Sequence, residues 1–266
     1  MTGYAFFPGC KVAFEMPELE RKIRDTLEYL NVDVVDVGGL SCCPGYDSIM
    51  SFDSTASLAI TARNFSIVEE QNLDILTPCS ECFSVFKYAI SRLEDEKTFL
   101  DVNSKLAKIG RIYRGKIRVL HITDVYYDEI VKKNPKTAKL GLKAGIHTGC
   151  HLLYTEKSSE YLEKIKRILN KIGVSTEKYS REDYYCGKGS ISLLSPESSA
   201  EFTERLIESL DAETDVDAIV AACPHCYDQI KTAQDSLLGR GKISKRYDVY
   251  HISELVWMAM RPGERT

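Results

Sequence analysis

Nine cysteines fall into one pattern that occurs twice, and no other feature of this 266-residue chain constrains it as tightly. The first half has Cys10, then 31 residues, the adjacent pair Cys42 and Cys43, then 35 residues, and Cys79-Ser80-Glu81-Cys82. The second half has Cys150, then 35 residues, Cys186, then 36 residues, and Cys223-Pro224-His225-Cys226. The two series superpose with offsets of 140, 143, 144 and 144 residues. Two copies of one unit of about 130 residues is the economical reading.

Residues around the cysteines repeat as well. Gly9-Cys10 matches Gly149-Cys150, and Val119-Leu120-His121-Ile122-Thr123-Asp124 resembles Val249-Tyr250-His251-Ile252-Ser253-Glu254. The repeat has one defect: Tyr185 stands where the first unit has Cys42, so the second unit has four cysteines against five. Scattered cysteines are often buried small hydrophobes, but that reading leaves the arrangement unexplained. An odd number also forbids complete internal disulfide pairing.

The rest of the composition narrows the class. The hydrophobic fraction of 44% and charged fraction of 28% are ordinary for a globular protein. A formal net charge of −4 argues against a nucleic-acid partner, which usually meets a basic face. No run approaches the roughly 18–20 apolar residues that span a bilayer. The first ten residues lack the basic start and apolar length of a signal peptide. The expectation is a cytoplasmic chain with reduced thiols.

Periodicity predicts an α/β fold of two tandem, pseudo-symmetric units, each a mostly parallel sheet flanked by helices. Strands are expected at residues 4–8, 32–37, 74–77, 119–122, 143–147, 218–221 and 249–252. Helices are expected at 17–30, closed by Asn31, and at 54–70, 83–93, 161–172 and 199–210. Residues 253–260 read as a helix packed on its own sheet, with a partner-facing role as the alternative. The first cysteine-rich unit is placed at 1–133, the second at 143–266, and the linker at about 134–142. Strand and helix alternation implies parallel sheets. The cysteines sit where strands end, and open α/β sheets gather their sites there.

Thiolates select zinc, iron–sulfur clusters or copper(I). Four cysteines suit a closed zinc site or a four-iron cluster. Five in one unit exceed both needs. Neighbouring side chains in extended backbone point apart, so Cys42 and Cys43 suit two irons of an enlarged cluster better than one tetrahedral ion. In the second unit the four cysteines fit either metal type. A thioredoxin-like CxxC would leave the other cysteines unexplained. His147, His151 and His225 lie beside or between cysteines and could supply protons, or serve as buried core histidines. Lys11, Lys87 and Lys188 could pair with anionic groups, although lysines near a site are usually just solvated.

The pattern resembles the paired cysteine-rich CCG domain. Tyr4-Ala5-Phe6-Phe7-Pro8-Gly9-Cys10, Ser41-Cys42-Cys43-Pro44, Ser51-Phe52-Asp53, Ala62-Arg63-Asn64, Asp74-Ile75-Leu76-Thr77-Pro78-Cys79 and His147-Thr148-Gly149-Cys150-His151-Leu152-Leu153 resemble the B subunit family of CoB–CoM heterodisulfide reductase. The likeness covers nearly the whole chain. It implies an oxidoreductase subunit with two 4Fe–4S clusters that flank and cleave a small-molecule disulfide such as CoM-S-S-CoB. Electrons would come from a ferredoxin-like C subunit fed by a flavin-bearing A subunit. Carried over residue by residue, Cys10, Cys42, Cys43, Cys79 and Cys82 would hold a noncubane first cluster. Cys150, Cys186, Cys223 and Cys226 would hold the second. Because Tyr185 replaces a family cysteine, that second site could be noncubane with a substitute ligand, cubane, or zinc. The alternative function is an electron-relay or anchoring CCG subunit of a redox complex.

Overall fold

A computed structural model describes residues 3–153 and 158–261. The first unit contains β1 (Tyr4–Phe6), α1 (Cys10–Glu15), α2 (Pro17–Tyr29), β2 (Val34–Val35), α3 (Ile49–Phe52), α4 (Ser54–Glu69), β3 (Asp74–Thr77), α5 (Ser80–Leu93), α6 (Glu96–Ala107), β4 (Val119–His121) and α7 (Ile122–Tyr126). A π-helical turn, Tyr127–Lys132, extends α7. The second unit contains β5 (Leu142–His147), α8 (Cys150–Leu153), α9 (Ser158–Lys171), β6 (Val174–Glu177), α10 (Ser190–Leu194), α11 (Pro196–Glu213), β7 (Ala218–Ala221), α12 (Pro224–Gly239), β8 (Asp248–His251) and α13 (Ile252–Met260).

Both sheets are wholly parallel and share one strand order, β2-β1-β3-β4 and β6-β5-β7-β8. The central strands are short and buried on both faces, as parallel strands between helices must be; Ala218–Ala221 is buried throughout. The chain leaves β1 toward β2 and later returns to the other side of β1 as β3. The gap between β1 and β3 is therefore the switch point where an open α/β sheet splays its loops. Cys10 and Cys79 follow these two strands, and Cys150 and Cys223 follow β5 and β7.

The helices obey their sequence signals. In α2, Pro17 occupies the first turn, Leu19, Ile23 and Leu27 face inward, and Asn31 takes a left-handed φ of 56° just beyond the end. Helices α1, α3, α6, α7, α8, α10 and α12 and strand β6 lie outside the sequence expectations. Helix α12 begins on Pro224, which is tolerated there because the first-turn N–H has no intrahelical acceptor. The Val174–Glu177 strand is too short and polar for its alternation to stand out.

The two units pack reciprocally. Helix α2 lies on α13 as α9 lies on α7, and α1 meets α12 as α8 meets α5. The ion pairs repeat: Lys22 Nζ reaches Glu254 at 3.1 Å, and Lys164 Nζ reaches Asp124 at 2.7 Å. This is the geometry of a two-fold interface formed within one chain. It corrects the expectation for α13, which packs against α2 of the other unit. There Arg21 and Lys22 sit over the Trp257 ring, each 5.4 Å from its centroid. The main apolar core runs through this interface, from Ile23 and Leu27 to Leu255, Val256 and Met260. A second core lies between α11, α12 and β7.

The repeated His-x-x-acid motif has a structural cause. His121 and His251 are the N-caps of α7 and α13, and each accepts a backbone N–H from two residues on. Asp124 and Glu254 reach back to the cap backbone N–H at 3.0 and 3.1 Å. Each pair is a capping box with histidine as the cap. Accepting at Nδ1 fixes the proton on Nε2. In the first unit, His121 Nε2 donates to Ser80 Oγ (3.3 Å), which donates to the Ala222 carbonyl of the other unit (3.1 Å).

Candidate metal centres

All nine cysteines are free thiols, and eight of them form one continuous chain of sulfur contacts. Cys10 meets Cys42, Cys42 meets Cys43, and Cys43 Sγ lies 3.1 Å from Cys82 Sγ. Cys82 meets Cys79, which crosses to Cys223 of the second unit. The chain ends through Cys226 at Cys186, whose sulfur faces His147. The adjacent pair stays in side-chain contact, with Cys42 also reaching Cys10 and Cys43 also reaching inward to Cys82. Cys150 faces the same space without joining the chain, and it feels the charges of Cys186 and Cys223.

Such a stack cannot ionise fully by itself. Hydrogen bonds from Cys42 and then Cys82 draw the Cys43 thiol down to about 6. A hydrogen bond from Cys226 draws Cys186 down to about 5, with the facing His147 adding to it. The cost falls on the neighbours. Contacts with Cys43 and Cys79 hold Cys82 well above its ordinary value, and contacts with Cys186 and Cys223 do the same to Cys226. Burial pushes Cys150 up to about 12. A metal cation among the sulfurs removes this conflict, because ligation deprotonates every thiol it engages.

The backbone is shaped for sulfur. Gly9 and Gly149 have φ of 77° and 78°, a region costly for residues with a Cβ. A Cβ on Gly9 would stand 3.1 Å from Cys82 Sγ, and one on Gly149 would stand 3.1 Å from Cys226 Sγ. These glycines hold the main chain against the CxxC sulfurs of their own unit, where it can tune a bound centre.

Between the units lies a cleft of about 400 Å³, lined by Cys10, Cys42, Cys43, Cys82, Cys150, Cys186, Cys223 and Cys226. Its volume falls in the range of small-molecule sites. Tyr46 stacks on His151 across it, ring centroids 5.3 Å apart. Tyr185 is half-buried on its wall, with its ring edge on Phe202 and its hydroxyl beside Gly189. Burial raises the pKa of that phenol above its ordinary value.

The remaining candidates separate. Lys11, 7% exposed, and Lys188 both bind Asp228, at 2.8 and 3.1 Å. Lys87 is exposed on the surface. His225 Nε2 lies 3.4 Å from Glu81 Oε2. Glu81 escaped sequence reasoning, although it holds the same place in the first CxxC as His225 in the second. Burial, and then the Cys223 charge, push its carboxyl up to about 8. His147 is fully buried and neither ring nitrogen makes an ordinary hydrogen bond, an arrangement worth about 1–3 kcal/mol of desolvation per orphaned atom.

Fold and site together define a duplicated α/β protein whose cysteine clusters point to iron–sulfur centres. The cysteine-rich CCG domain model matches residues 4–87 and 144–231. The chain is 31% identical over 271 residues to the B subunit of the ferredoxin/F420H2-dependent CoB–CoM heterodisulfide reductase of Methanosarcina acetivorans, covering 98% of this chain and 90% of that one. It is 28% identical to a protein of Archaeoglobus profundus described as like the heterodisulfide reductase B subunit, covering 98% and 91%. It is also 29% identical to the 8-methylmenaquinol:fumarate reductase membrane anchor subunit of Wolinella succinogenes, covering 97% and 92%. The chain belongs to the family of heterodisulfide reductase B subunits within the CCG-domain proteins. A crystal structure of a hypothetical protein from Helicobacter pylori shares the fold, with a TM-score of 0.78 at 14% identity; this chain is covered completely and spans 50% of that one. No helix among the described residues is long and apolar enough to cross a membrane.

Proposed function

We propose that this chain is the iron–sulfur subunit of a heterodisulfide reductase-type complex and the place where a small-molecule disulfide is reduced to two thiols. The observation that carries the reading is the shared cleft, into which both units turn their cysteines. In this reading Cys10, Cys42, Cys43, Cys79 and Cys82 hold a noncubane 4Fe–4S cluster, and Cys150, Cys186, Cys223 and Cys226 hold the second centre. Residues 1–133 and 143–266 are the two binding units, joined through about 134–142. Bound iron–sulfur clusters supply one-electron steps, and two such steps break one S–S bond.

The overall reaction takes up two electrons and two protons per disulfide. Electrons enter from a ferredoxin-like subunit and, behind it, a flavin-bearing one; the chain works in a reducing cytoplasm. Its own residues shape the cleft. Tyr46, Tyr185 and Leu193 line the space. His225 Nε2 and Glu81 Oε2 hold an exchangeable proton inside it. Asp228 ties Lys11 of one unit to Lys188 of the other at the edge of the cleft. A substrate with anionic groups would compete with Asp228 for these lysines.

The second reading is an electron-relay or anchoring subunit with a zinc ion or cubane cluster in the second unit. Tyr185 in place of a cysteine favours it. Metal and sulfide analysis of the anaerobically purified chain first separates a zinc second site from a cluster of either kind: two four-iron clusters give roughly eight irons, against roughly four irons and one zinc. Stopped-flow mixing of the pre-reduced chain with CoM-S-S-CoB then tests the chemistry. Reoxidation without partner subunits supports disulfide cleavage here, and its absence supports the relay.

A further inference from the structure

His147 ends β5, three residues before Cys150. The matching position of the first unit, three residues before Cys10, is Phe7. Phe7 is a core residue, packed edge-on against Phe86 with centroids 4.9 Å apart. The second unit thus places an imidazole where the first places a phenyl ring, and it does so in the unit that lacks one cysteine. The imidazole does not replace the packing with a polar network. His147 is 0% exposed, and both ring nitrogens lack an ordinary hydrogen bond.

What the ring does face is sulfur. A ligating nitrogen of His147 and the sulfurs of Cys186 and Cys226 all lie within 4.8 Å of one another, and all three residues are buried. Metal–sulfur bonds of about 2.3 Å and metal–nitrogen bonds of about 2.0–2.1 Å bring such a trio onto one ion or adjacent ions of one cluster with small side-chain motion. The strand fixes the approach: His147 pairs with Ala221 of β7, two residues before Cys223. Tyr185, which occupies the place of the missing cysteine, leans on Phe202 and Gly189 instead.

We propose that His147 supplies the fifth donor of the second metal centre, an imidazole nitrogen in place of the absent thiolate. The inference rests on the reading that the second unit's cysteines hold a metal. It has an electronic consequence. A neutral imidazole leaves the centre one negative charge less than five thiolates would, which raises its reduction potential relative to an all-cysteine centre. The two halves of the repeat then hold centres of unequal potential.

The test uses the full chain, purified anaerobically, as wild type, as protein labelled with 15N-histidine, and as the variants H147F, H147C and C186A. Phe7 shows that the fold accepts phenylalanine at this position, and H147C restores a fifth sulfur. Pulsed EPR of the paramagnetic second centre is expected to show strong 14N coupling. Labelling should convert it to 15N coupling, and it should be absent in H147F and H147C. H147F should lose the second centre, about half of the bound iron, while H147C keeps wild-type metal with a lower midpoint potential. If the second metal is zinc, X-ray absorption at the zinc edge should read one nitrogen among the sulfurs in wild type and none in H147C. Nitrogen coupling no stronger than that of backbone amides, or coupling unchanged in H147F, overturns the assignment while leaving the second centre in place. Wild type holding no more metal than C186A overturns it together with the reading beneath it.

Discussion

Glu81 and His225 are the same residue of the repeat, the third position of each CxxC, and they face each other across the interface at 3.4 Å. Residues related by the internal duplication meet in this way only near the pseudo-two-fold axis. Cys79 and Cys223, also equivalent, touch beside them. The two centres proposed for the cysteines therefore adjoin at the axis. In a preparation with both centres paramagnetic, the EPR spectrum should show spin–spin splitting. Cys186→Ala should abolish the splitting and leave the signal of the first centre; two independent signals in wild type would contradict the adjacency.

The glycines beside Cys10 and Cys150 make a second test. Gly9→Ala forces a Cβ into a positive-φ site and against Cys82 Sγ. The conformational cost alone is about 1–2 kcal/mol. Gly9→Ala should lower the metal content of the first unit selectively, and Gly149→Ala that of the second. Iron and sulfide determination on each variant, with circular dichroism to verify the fold, checks this. Full occupancy in both would mean that the main chain is not seating sulfur.

Acid stability should turn on the two histidine caps. Burial pushes the His121 pKa down to about 4 from an ordinary 6.5, and lowers His251 in the same direction. The unfolded chain binds a proton below about 6.5 that the folded chain refuses until about 4. Stability is therefore fully present above pH 6.5 and falls with acidification through that window. For His121 the loss is about 3 kcal/mol. Protonation also removes the Nδ1 acceptor that caps α7. Urea midpoints between pH 4 and pH 7 should show the decline, and His121→Asn, which caps without titrating in this range, should flatten it. An unchanged slope in that variant would assign the decline to other groups.

The interface has its own weak point at Asp124. Its carboxylate caps α7, accepts Lys164 Nζ at 2.7 Å and accepts the Tyr161 hydroxyl at 3.2 Å. Asp124→Ala takes one of two carboxylate partners from a partly buried lysine, which keeps Glu160 at 2.9 Å, and removes the capping box. The expected loss is about 2–4 kcal/mol, larger than for an exposed ion pair at about 0–1 kcal/mol. Lys105→Ala, which breaks the exposed pair with Asp101, is the control and should change the urea midpoint little. Equal effects from the two would place Asp124 outside the interface energetics.

Much of this protein is written in its sequence. The offsets between cysteines determine the duplication, and apolar periodicity at Leu19, Ile23 and Leu27 or in Ala218–Ala221 determines helix and strand, because burial of one face is a local demand on the chain. The repeated His-x-x-acid motif is visible as a repeat but not as a cap, since a cap is defined by a helix start that the sequence only implies. Tertiary structure alone decided the rest. It joined eight sulfurs from both units, set Glu81 against His225, turned α13 onto α2, and left His147 facing Cys186 and Cys226. These are contacts between residues far apart in sequence. Their distances follow from how two parallel sheets pack through their helices, and no local pattern of residues encodes that packing.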